Sequence, residues 1–327
     1  MSSRVPALRR PRLRRSAAEA FAPAAITNFF AIQSDSSGTP VGATGGGFIL
    51  SRGVVTTANF APEGETRLVT SVNGDRRYDA RTTRRAVQLL LGRPNRRLGV
   101  ITLDQTVDTP IGSGFGASGA SATSAVYATA AAIGIRGPKE ELALFAHRAE
   151  IIEQTGLGTV SVVFDAVGAG AIVSPGEPGE AKFVNVKAPR DIRLVTAYIA
   201  PFDKKDALTS KPIGRKITML GREALQAFLT DPTFDTLVAE GERFSRRLGL
   251  ESPEVKKLIS VAKSAGAIGA SQNMMGYSVH SVVHTDSAAK VVDALSGVSR
   301  ELRVDSFEIG ARRAEVLPAS RRSPGPS

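Results

Sequence analysis

The chain of 327 residues contains no cysteine. Disulfide frameworks, thiolate-ligated zinc or iron–sulfur sites and cysteine nucleophiles are therefore excluded. Tryptophan is absent and there are only 4 tyrosines, so few side chains are available to stack on nucleic acid bases. No run of 18 apolar residues occurs, and the N-terminus lacks the apolar segment of a secretory signal, so we expect a cytoplasmic protein without a membrane span.

The net charge of +11 is concentrated at the two ends of the chain. Residues 1–15 contain six arginines and no acidic residue, whereas residues 16–310 together carry only +2. Because charge runs are usually solvated, we expect disordered basic tails at 1–20 and 316–327. We do not expect a nucleic acid partner, although an arginine-rich tail that binds nucleic acid stays open as an alternative.

Between the tails, 42% hydrophobic and 22% charged residues are typical of a globular enzyme, and the length favours two domains or one large one. The turn signal at 51–53, between apolar runs, predicts a hairpin. A shift from strand-rich to helix-rich segments near 185–190 predicts a domain boundary there, with domains at 21–187 and 188–315. Caps and apolar periodicity predict helices over 139–154, 214–230, 233–248, 253–265 and 287–296, the last capped by Asp286.

The most unusual segment is the Gly/Ser-rich stretch 112–119, which runs into an alanine-rich stretch, 120–132, with strong helix propensity. Glycines let backbone N–H groups approach phosphate oxygens, and the N-terminus of a helix adds positive potential. Ser118 would lie in the first turn, where its hydroxyl could meet a phosphate or a Mg²⁺. The Walker pattern and a clean GxGxxG after a strand are absent, and small residues for close helix packing are the alternative.

His147 and Glu150 are three residues apart on one predicted helix and therefore share a face. Glu150 could hold Mg²⁺, which prefers carboxylate and phosphate oxygens. The alternative is a surface glutamate beside a half-buried histidine. His280 and His284 lack the further ligands of a zinc site, so we expect them to be structural.

Five blocks, in this order along the chain, resemble the conserved blocks of the GHMP kinase superfamily, and in particular of its archaeal pantoate kinases. The block at 112–119 has the Gly-Phe-Gly form typical of those kinases, and the block at 146–150 with 155–158 is similar to their AHxAE…TGLGD block. The blocks are residues 23–30, 42–54, 112–119, 146–150 with 155–158, and 270–276.

The resemblance implies an α+β protein with the GHMP kinase fold. It has an N-terminal domain like ribosomal protein S5 domain 2 and a ferredoxin-like C-terminal domain, with ATP in the cleft between them. The resemblance implies transfer of a phosphoryl group from ATP, with Mg²⁺, to the terminal hydroxyl of (R)-pantoate. The product, 4-phosphopantoate, would serve coenzyme A synthesis in archaea. Because this family tends to dimerise, we also expect a homodimer.

The resemblance also implies roles for individual residues. Ser118 and Glu150 match the family's catalytic Mg²⁺ and phosphate residues, and Thr27 and His147 match its pantoate-contacting residues. Thr159 stands where the family has its catalytic Asp. The residues that match the ATP phosphate loop are Gly112, Gly114, Gly116, Ala117, Ser118 and Gly119.

Two departures from the family pattern leave alternatives open. Thr159 is not a general base at neutral pH, and residues 169–173 lack the arginine that holds the substrate carboxylate in the family. Asp165, six residues further along a helix, would point elsewhere. Transfer could proceed without a strong base, or other residues could supply both functions. Two further alternatives are that the chain is a GHMP kinase that phosphorylates homoserine, shikimate or mevalonate, or that it is a weak nucleotide-binding paralogue.

Overall fold

The structure is a computed structural model. It describes five stretches of the chain, residues 14–37, 40–92, 99–200, 211–274 and 276–318. Residues 1–13 and 319–327 of the two predicted tails, and Met275 of the last sequence block, lie outside the described residues. Within the described stretches, every helix is too short or too polar to cross a membrane.

Seven strands of the described chain form the first sheet, in the order β11-β1-β2-β4-β3, with β5 pairing with β2 and β6 with β5. All neighbours are antiparallel except β3 and β4, which are parallel. The strands are β1 (Ser16–Ser34), β2 (Pro40–Ala61), β3 (Arg67–Val72), β4 (Val100–Val107), β5 (Ala169–Ser174), β6 (Lys182–Val186) and β11 (Glu315–Val316).

The predicted hairpin with a turn at 51–53 is wrong, because β2 continues through these residues. β1 pairs with β2 along both halves, and β2 absorbs its extra residues as a bulge between the pairs Pro23↔Gly53 and Ala25↔Ile49. Gly53 is needed at this bulge, since a Cβ there would lie 2.2 Å from the Ala22 carbonyl oxygen. Turn-like residues therefore mark an irregular strand here.

Both predicted tails overlap ordered strands at their inner ends. Residues 16–20, which we placed in the N-terminal tail, form the start of β1 and pair with β2. Val316 pairs with Ala20, so the two ends of the described chain meet in one sheet. Strand pairing satisfies the backbone N–H and C=O groups of these short segments, which their composition alone does not reveal.

Four helices of the described chain pack on the first sheet: α1 (Arg81–Leu91), α2 (Ala117–Ile133), α3 (Lys139–Ile152) and α4 (Thr159–Asp165). The alanine-rich α2 is the central helix, and almost all of its side chains are buried. It packs against α1, α3, β1 and β2, and small side chains allow this close approach on every side. The predicted helices at 120–132 and 139–154 are confirmed.

The second sheet is fully antiparallel, in the order β10-β7-β9-β8. Its strands are β7 (Ile192–Ala200), β8 (Gly269–Gln272), β9 (Tyr277–His284) and β10 (Arg303–Glu308). The helices of this region are α5 (Lys211–Thr230), α6 (Phe234–Leu248), α7 (Pro253–Ala265) and α8 (Thr285–Ser296). They confirm the four predicted helices, but α8 begins after His284, so the cap predicted at Asp286 is wrong and Asp286 lies in the first turn. The domain boundary predicted at 187/188 falls between β6 and β7 and stays a prediction.

One hydrophobic core joins the two sheets. It contains Phe29 and Phe48 from the first sheet, Leu194 and Phe307 from the second, and Phe115 from the Gly/Ser-rich segment. The rings of Phe115 and Phe307 lie 6.1 Å apart. This core anchors the Gly/Ser-rich segment between the sheets, and the predicted α+β fold class is confirmed.

Candidate active site

A cleft of about 350 Å³ opens beside the N-terminus of α2. Its walls come from the middle of β1, the glycine-rich part of β2, the Gly/Ser-rich segment, the loop after α3, and β5. The predicted site residues that line it are Thr27, Gly112, Gly114, Gly116, Ala117, Ser118, Gly119 and Thr159. Glu150 and His147 lie outside this lining.

The Gly/Ser-rich segment 112–116, which we call the phosphate loop, curves through three left-handed glycines. The φ angles are 76° at Gly112, 85° at Gly114 and 65° at Gly116, a conformation that other residues rarely adopt. Gly116 is the N-cap of α2, and no side chain caps the helix. The first N–H groups of α2 are therefore without a side-chain partner at the cleft, which suits an anion.

Ser118 is the second residue of α2 and lines the cleft, as predicted from its place in the sequence. Thr27 lies on β1 opposite Gly47, beside an irregularity in the β1–β2 pairing. Both hydroxyl-bearing residues are half-buried. They therefore reach one cleft from two different elements.

Glu150 is fully buried on α3, so the alternative interpretation, a surface glutamate, is wrong. Its Oε2 accepts a hydrogen bond from the Val160 N–H at 3.3 Å, and its Oε1 has no hydrogen-bond partner in the described residues. A Cβ built on Gly119 would lie 3.3 Å from Oε1, and one built on Gly156 only 2.1 Å from it. The carboxylate thus lies beneath the first turn of α2, just behind the wall of the cleft.

A buried carboxylate with one weak hydrogen bond is costly unless a cation or further donors compensate it. No group of three or more acidic or histidine side chains that could hold a metal occurs in the described part of the chain. Glu150 thus offers one carboxylate here, and Ser118 stands in the first turn of α2, beneath which that carboxylate lies. This donor set fits Mg²⁺, which is often bound by one carboxylate together with phosphate oxygens and water.

Thr159 begins α4 and lies between Glu150 and the phosphate loop. Its Cγ2 would be 2.8 Å from a Cβ on Gly116, and its Oγ1 would be 2.9 Å from a Cβ on Gly156. The methyl group thus faces the loop and the hydroxyl lies on the side of Glu150. Asp165 points elsewhere, as predicted, and accepts a hydrogen bond from the Gly179 N–H at 2.9 Å.

His147 lies behind the cleft, where it lines a separate small pocket of about 10 Å³ with Gly42 and Pro175. Leu157 and Gly158 line both this pocket and the main cleft. Burial lowers the pKa of His147, with the nearby Glu150 partly opposing this shift, and its Nδ1 has no partner among the described residues. The neutral imidazole therefore has one ring nitrogen available for a further hydrogen bond beside the loop that follows α3.

Sequence analysis did not identify four polar residues of the cleft, Arg81, Glu153, Gln154 and Asn185, which lie outside every block of the family resemblance. Arg81, the first residue of α1, is the one basic side chain in the described lining, and no ion pair to it occurs in the described residues. The adjacent acid of the lining, Glu153, is paired with Arg85 at 2.9 Å. Neither α1 nor β6 was predicted, so no local pattern marked Arg81 or Asn185.

Comparison with known proteins gives a consistent result. Residues 81–167, from α1 through α4, match the family described as GHMP kinases N terminal domain. The chain is 27% identical over 305 residues to a pantoate kinase from Thermococcus kodakarensis, covering 91% of this chain and 97% of the relative. It is 25% identical to a pantoate kinase from Methanospirillum hungatei, covering 80% and 85%.

A solved structure described as a phosphotransferase related to CoA biosynthesis pathway superimposes with a TM-score of 0.81. The two sequences are 26% identical, and the match covers 92% of this chain and 98% of that one. The chain thus has the GHMP kinase fold around a GHMP kinase N-terminal domain, and archaeal pantoate kinases are its homologues.

Proposed function

We propose that this protein is an ATP-dependent kinase that phosphorylates (R)-pantoate to 4-phosphopantoate in archaeal coenzyme A biosynthesis. One observation carries the proposal: an uncapped helix N-terminus with a left-handed glycine loop lies directly above a buried carboxylate oxygen without a partner in the described residues. Such an arrangement suits a nucleotide phosphate and a cation together. The homology to two pantoate kinases supports pantoate as the acceptor.

Different groups of the chain bind the phosphates, the metal ion and the acceptor. Backbone N–H groups of the phosphate loop and of the first turn of α2 bind phosphate oxygens. Ser118 and Glu150 would hold Mg²⁺, which supplies positive charge to the transferring phosphoryl group when it is bound. Thr27 hydrogen-bonds the acceptor from β1, and His147 supports it from behind the loop after α3. Positioning and charge stabilisation then provide most of the rate, as is general for phosphoryl transfer.

Arg81 supplies positive charge at the rim of this cleft. The lining holds no other basic side chain in the part of the chain that the structure describes, although nucleotide and acceptor are both anionic. The arginine of the family is absent from 169–173, where β5 presents only small and apolar residues. Among the described residues, Arg81 and the dipole of α2 thus supply the positive potential that attracts these substrates.

Thr159 is expected to contribute shape to the site and no proton transfer. Its hydroxyl is too weak a base at neutral pH, and the loose transition state of phosphoryl transfer tolerates the lack of one. Thr159→Val keeps the branched shape and removes the hydroxyl, so we expect the turnover number to stay within about threefold of the parent protein. A steady-state assay checks this, and a loss of about a hundredfold or more would assign the hydroxyl a direct role.

Thr27→Ala and His147→Ala are expected to raise the KM for pantoate by about tenfold or more and to leave the KM for ATP unchanged. Each removes a polar group that we assign to the acceptor and leaves the phosphate loop and Ser118 unchanged. His284→Ala is the matched control for the imidazole, because His284 is exposed and paired with Asp191 at 2.8 Å. A selective rise in the KM for ATP would reject the acceptor assignment.

The function itself is tested by ADP release from the purified protein with ATP, Mg²⁺ and D-pantoate. Parallel assays contain homoserine, shikimate or mevalonate in place of pantoate. We expect turnover with pantoate alone. Turnover with another acceptor would keep the site and change the substrate. Binding of ATP without turnover on any acceptor would show that the chain is a nucleotide-binding paralogue.

A further inference from the structure

A row of buried polar side chains lies behind the phosphate loop, on β8, β9 and the segment that joins them. Ser271, Asn273 and His280 are 3%, 0% and 2% exposed, and none of them lines the cleft. The Nδ1 of His280 lies 2.7 Å from Asn273 Oδ1, and its Nε2 lies 3.2 Å from Ser271 Oγ. Most buried polar groups are hydrogen-bonded, and such networks make their members rigid, so this row can hold its neighbours in place.

The protonation state of the row follows from its partners. Burial lowers the pKa of His280 to about 3, so its ring is neutral and carries a single N–H at ordinary pH. Asn273 Oδ1 can only accept, and therefore the proton is on Nδ1 and the Ser271 hydroxyl donates to Nε2. In this tautomer the Nδ1–H of His280 donates to Asn273 Oδ1 at 2.7 Å. The Nδ2 of Asn273 has no hydrogen-bond partner in the described residues.

Asn273 and its neighbours support the phosphate loop from the side of the second sheet. A Cβ built on Gly114 would lie 3.1 Å from Asn273 Cβ and 3.2 Å from its carbonyl oxygen. The Ser278 hydroxyl donates to the Ser113 carbonyl at 2.7 Å. Gly276 donates its N–H to the Asn273 carbonyl at 2.8 Å, and a Cβ on Gly276 would lie 2.9 Å from the Ser113 backbone. The left-handed turn of the loop is thus packed directly on this segment.

We propose that His280 is a positioning residue for the nucleotide, which acts through Asn273. Its Nδ1–H holds the Asn273 side chain, and Asn273 with Ser278 holds residues 113–114 in the conformation that receives phosphate oxygens. His280 itself touches no substrate. The inference rests on the proposed function, because it assumes that this loop binds the phosphates of ATP. Small displacements of such a loop are costly, since a misplacement of about 1 Å can cost about a hundredfold in rate.

Two amide substitutions separate the two nitrogens of His280. In His280→Asn, the amide N–H falls near the position of Nδ1 and can still donate to Asn273. In His280→Gln, the amide lies near the position of Nε2, and the donor to Asn273 is lost. Both replacements are neutral and polar, so they differ mainly in which hydrogen bond they preserve.

The first readout is the Kd for MgATP, measured by calorimetric titration without an acceptor, beside the Tm of each variant. We expect His280→Gln to raise this Kd by about tenfold and His280→Asn to keep it within about threefold. The KM for pantoate should be unchanged in both variants. Equal values of the Kd for the Asn and Gln variants, or values that merely follow the Tm, would overturn the positioning role.

Ser278→Ala provides a second test that does not alter the buried histidine. It removes the hydrogen bond to the Ser113 carbonyl and should raise the Kd for MgATP by about threefold to tenfold. An unchanged Kd in Ser278→Ala would overturn the inference even if the His280 variants fail to fold. Failure of the parent protein to bind MgATP would refute the proposed function. Normal binding by the parent and equal binding by all variants would refute only the positioning role.

Discussion

Glu150→Gln is expected to lower the turnover number by a factor of about 100 or more while the fold stays intact. Glutamine has nearly the same shape, and its carbonyl can still accept from the Val160 N–H. The substitution removes the negative charge of the carboxylate. Its Oε1 is buried below the first turn of α2 and has no partner in the described residues. Without that charge, Mg²⁺ is held only by Ser118 and by the phosphates.

The effect on folding should have the opposite sign to the effect on catalysis. Removing a buried and poorly compensated carboxylate removes its desolvation cost, so the Tm of Glu150→Gln should equal or exceed that of the parent. The assay measures turnover as a function of Mg²⁺ concentration, and half-saturation should move to a higher concentration. Glu140→Gln, an exposed change in the first turn of the same helix, is the control. Unchanged turnover with an unchanged Mg²⁺ dependence would remove Glu150 from the site.

Gly156→Ala is expected to reduce turnover by about 10- to 100-fold, because it displaces the same carboxylate by contact. The added Cβ would lie 2.1 Å from Glu150 Oε1 and 2.8 Å from its Cδ, so the side chain must move. The backbone of Gly156 is not in the left-handed region, and an alanine there is free of conformational strain. The expected loss therefore comes mainly from the displacement of Glu150, although Thr159 Oγ1, at 2.9 Å from the new Cβ, must also shift.

The control for this substitution is Gly297→Ala, where the added Cβ meets only ordinary contacts of 3.4–3.5 Å at the end of α8. Turnover and the Tm of each variant are measured together, so that a loss of folded protein is not mistaken for a loss of catalysis. We expect Gly297→Ala to keep the parent rate. A Gly156→Ala protein with the parent rate would show that Glu150 can move without consequence, which would contradict its assignment.

The helices of the second half of the chain could be predicted well because their signals are local. α6 is capped by Thr233, and α7 by Ser252 with Pro253 at its first position. The phosphate loop was also predictable, since a cluster of glycines directly before an alanine-rich segment is typical of a tight loop that leads into a helix. These features depend on neighbours within a few residues, and no distant contact is needed to recognise them.

The hairpin at 51–53 failed for the opposite reason. Ser51, Arg52 and Gly53 are turn-forming residues, but β1 offers an extended partner along both halves of β2. Pairing with a distant strand overrides a local turn preference, and the glycine then serves a bulge. The helix α1 and its cleft residue Arg81 were not predicted for a similar reason. The place of α1 beside the cleft is set by its packing against α2 and α3.

The ordered blocks that resemble GHMP kinases were enough to predict the kind of protein and its α+β fold, and the glycines of 112–119 predicted a tight loop before a helix. The three-dimensional arrangement was needed to see the burial of Glu150, the separation of His147 from the cleft, and the buried contact between His280 and Asn273 behind the loop. Local geometry follows from short-range sterics and hydrogen bonds, which neighbouring residues encode directly. The environment of a side chain also depends on segments that are distant in the sequence. Gly42 lines the small pocket of His147, and Ser278 reaches the Ser113 carbonyl because the two sheets share one core.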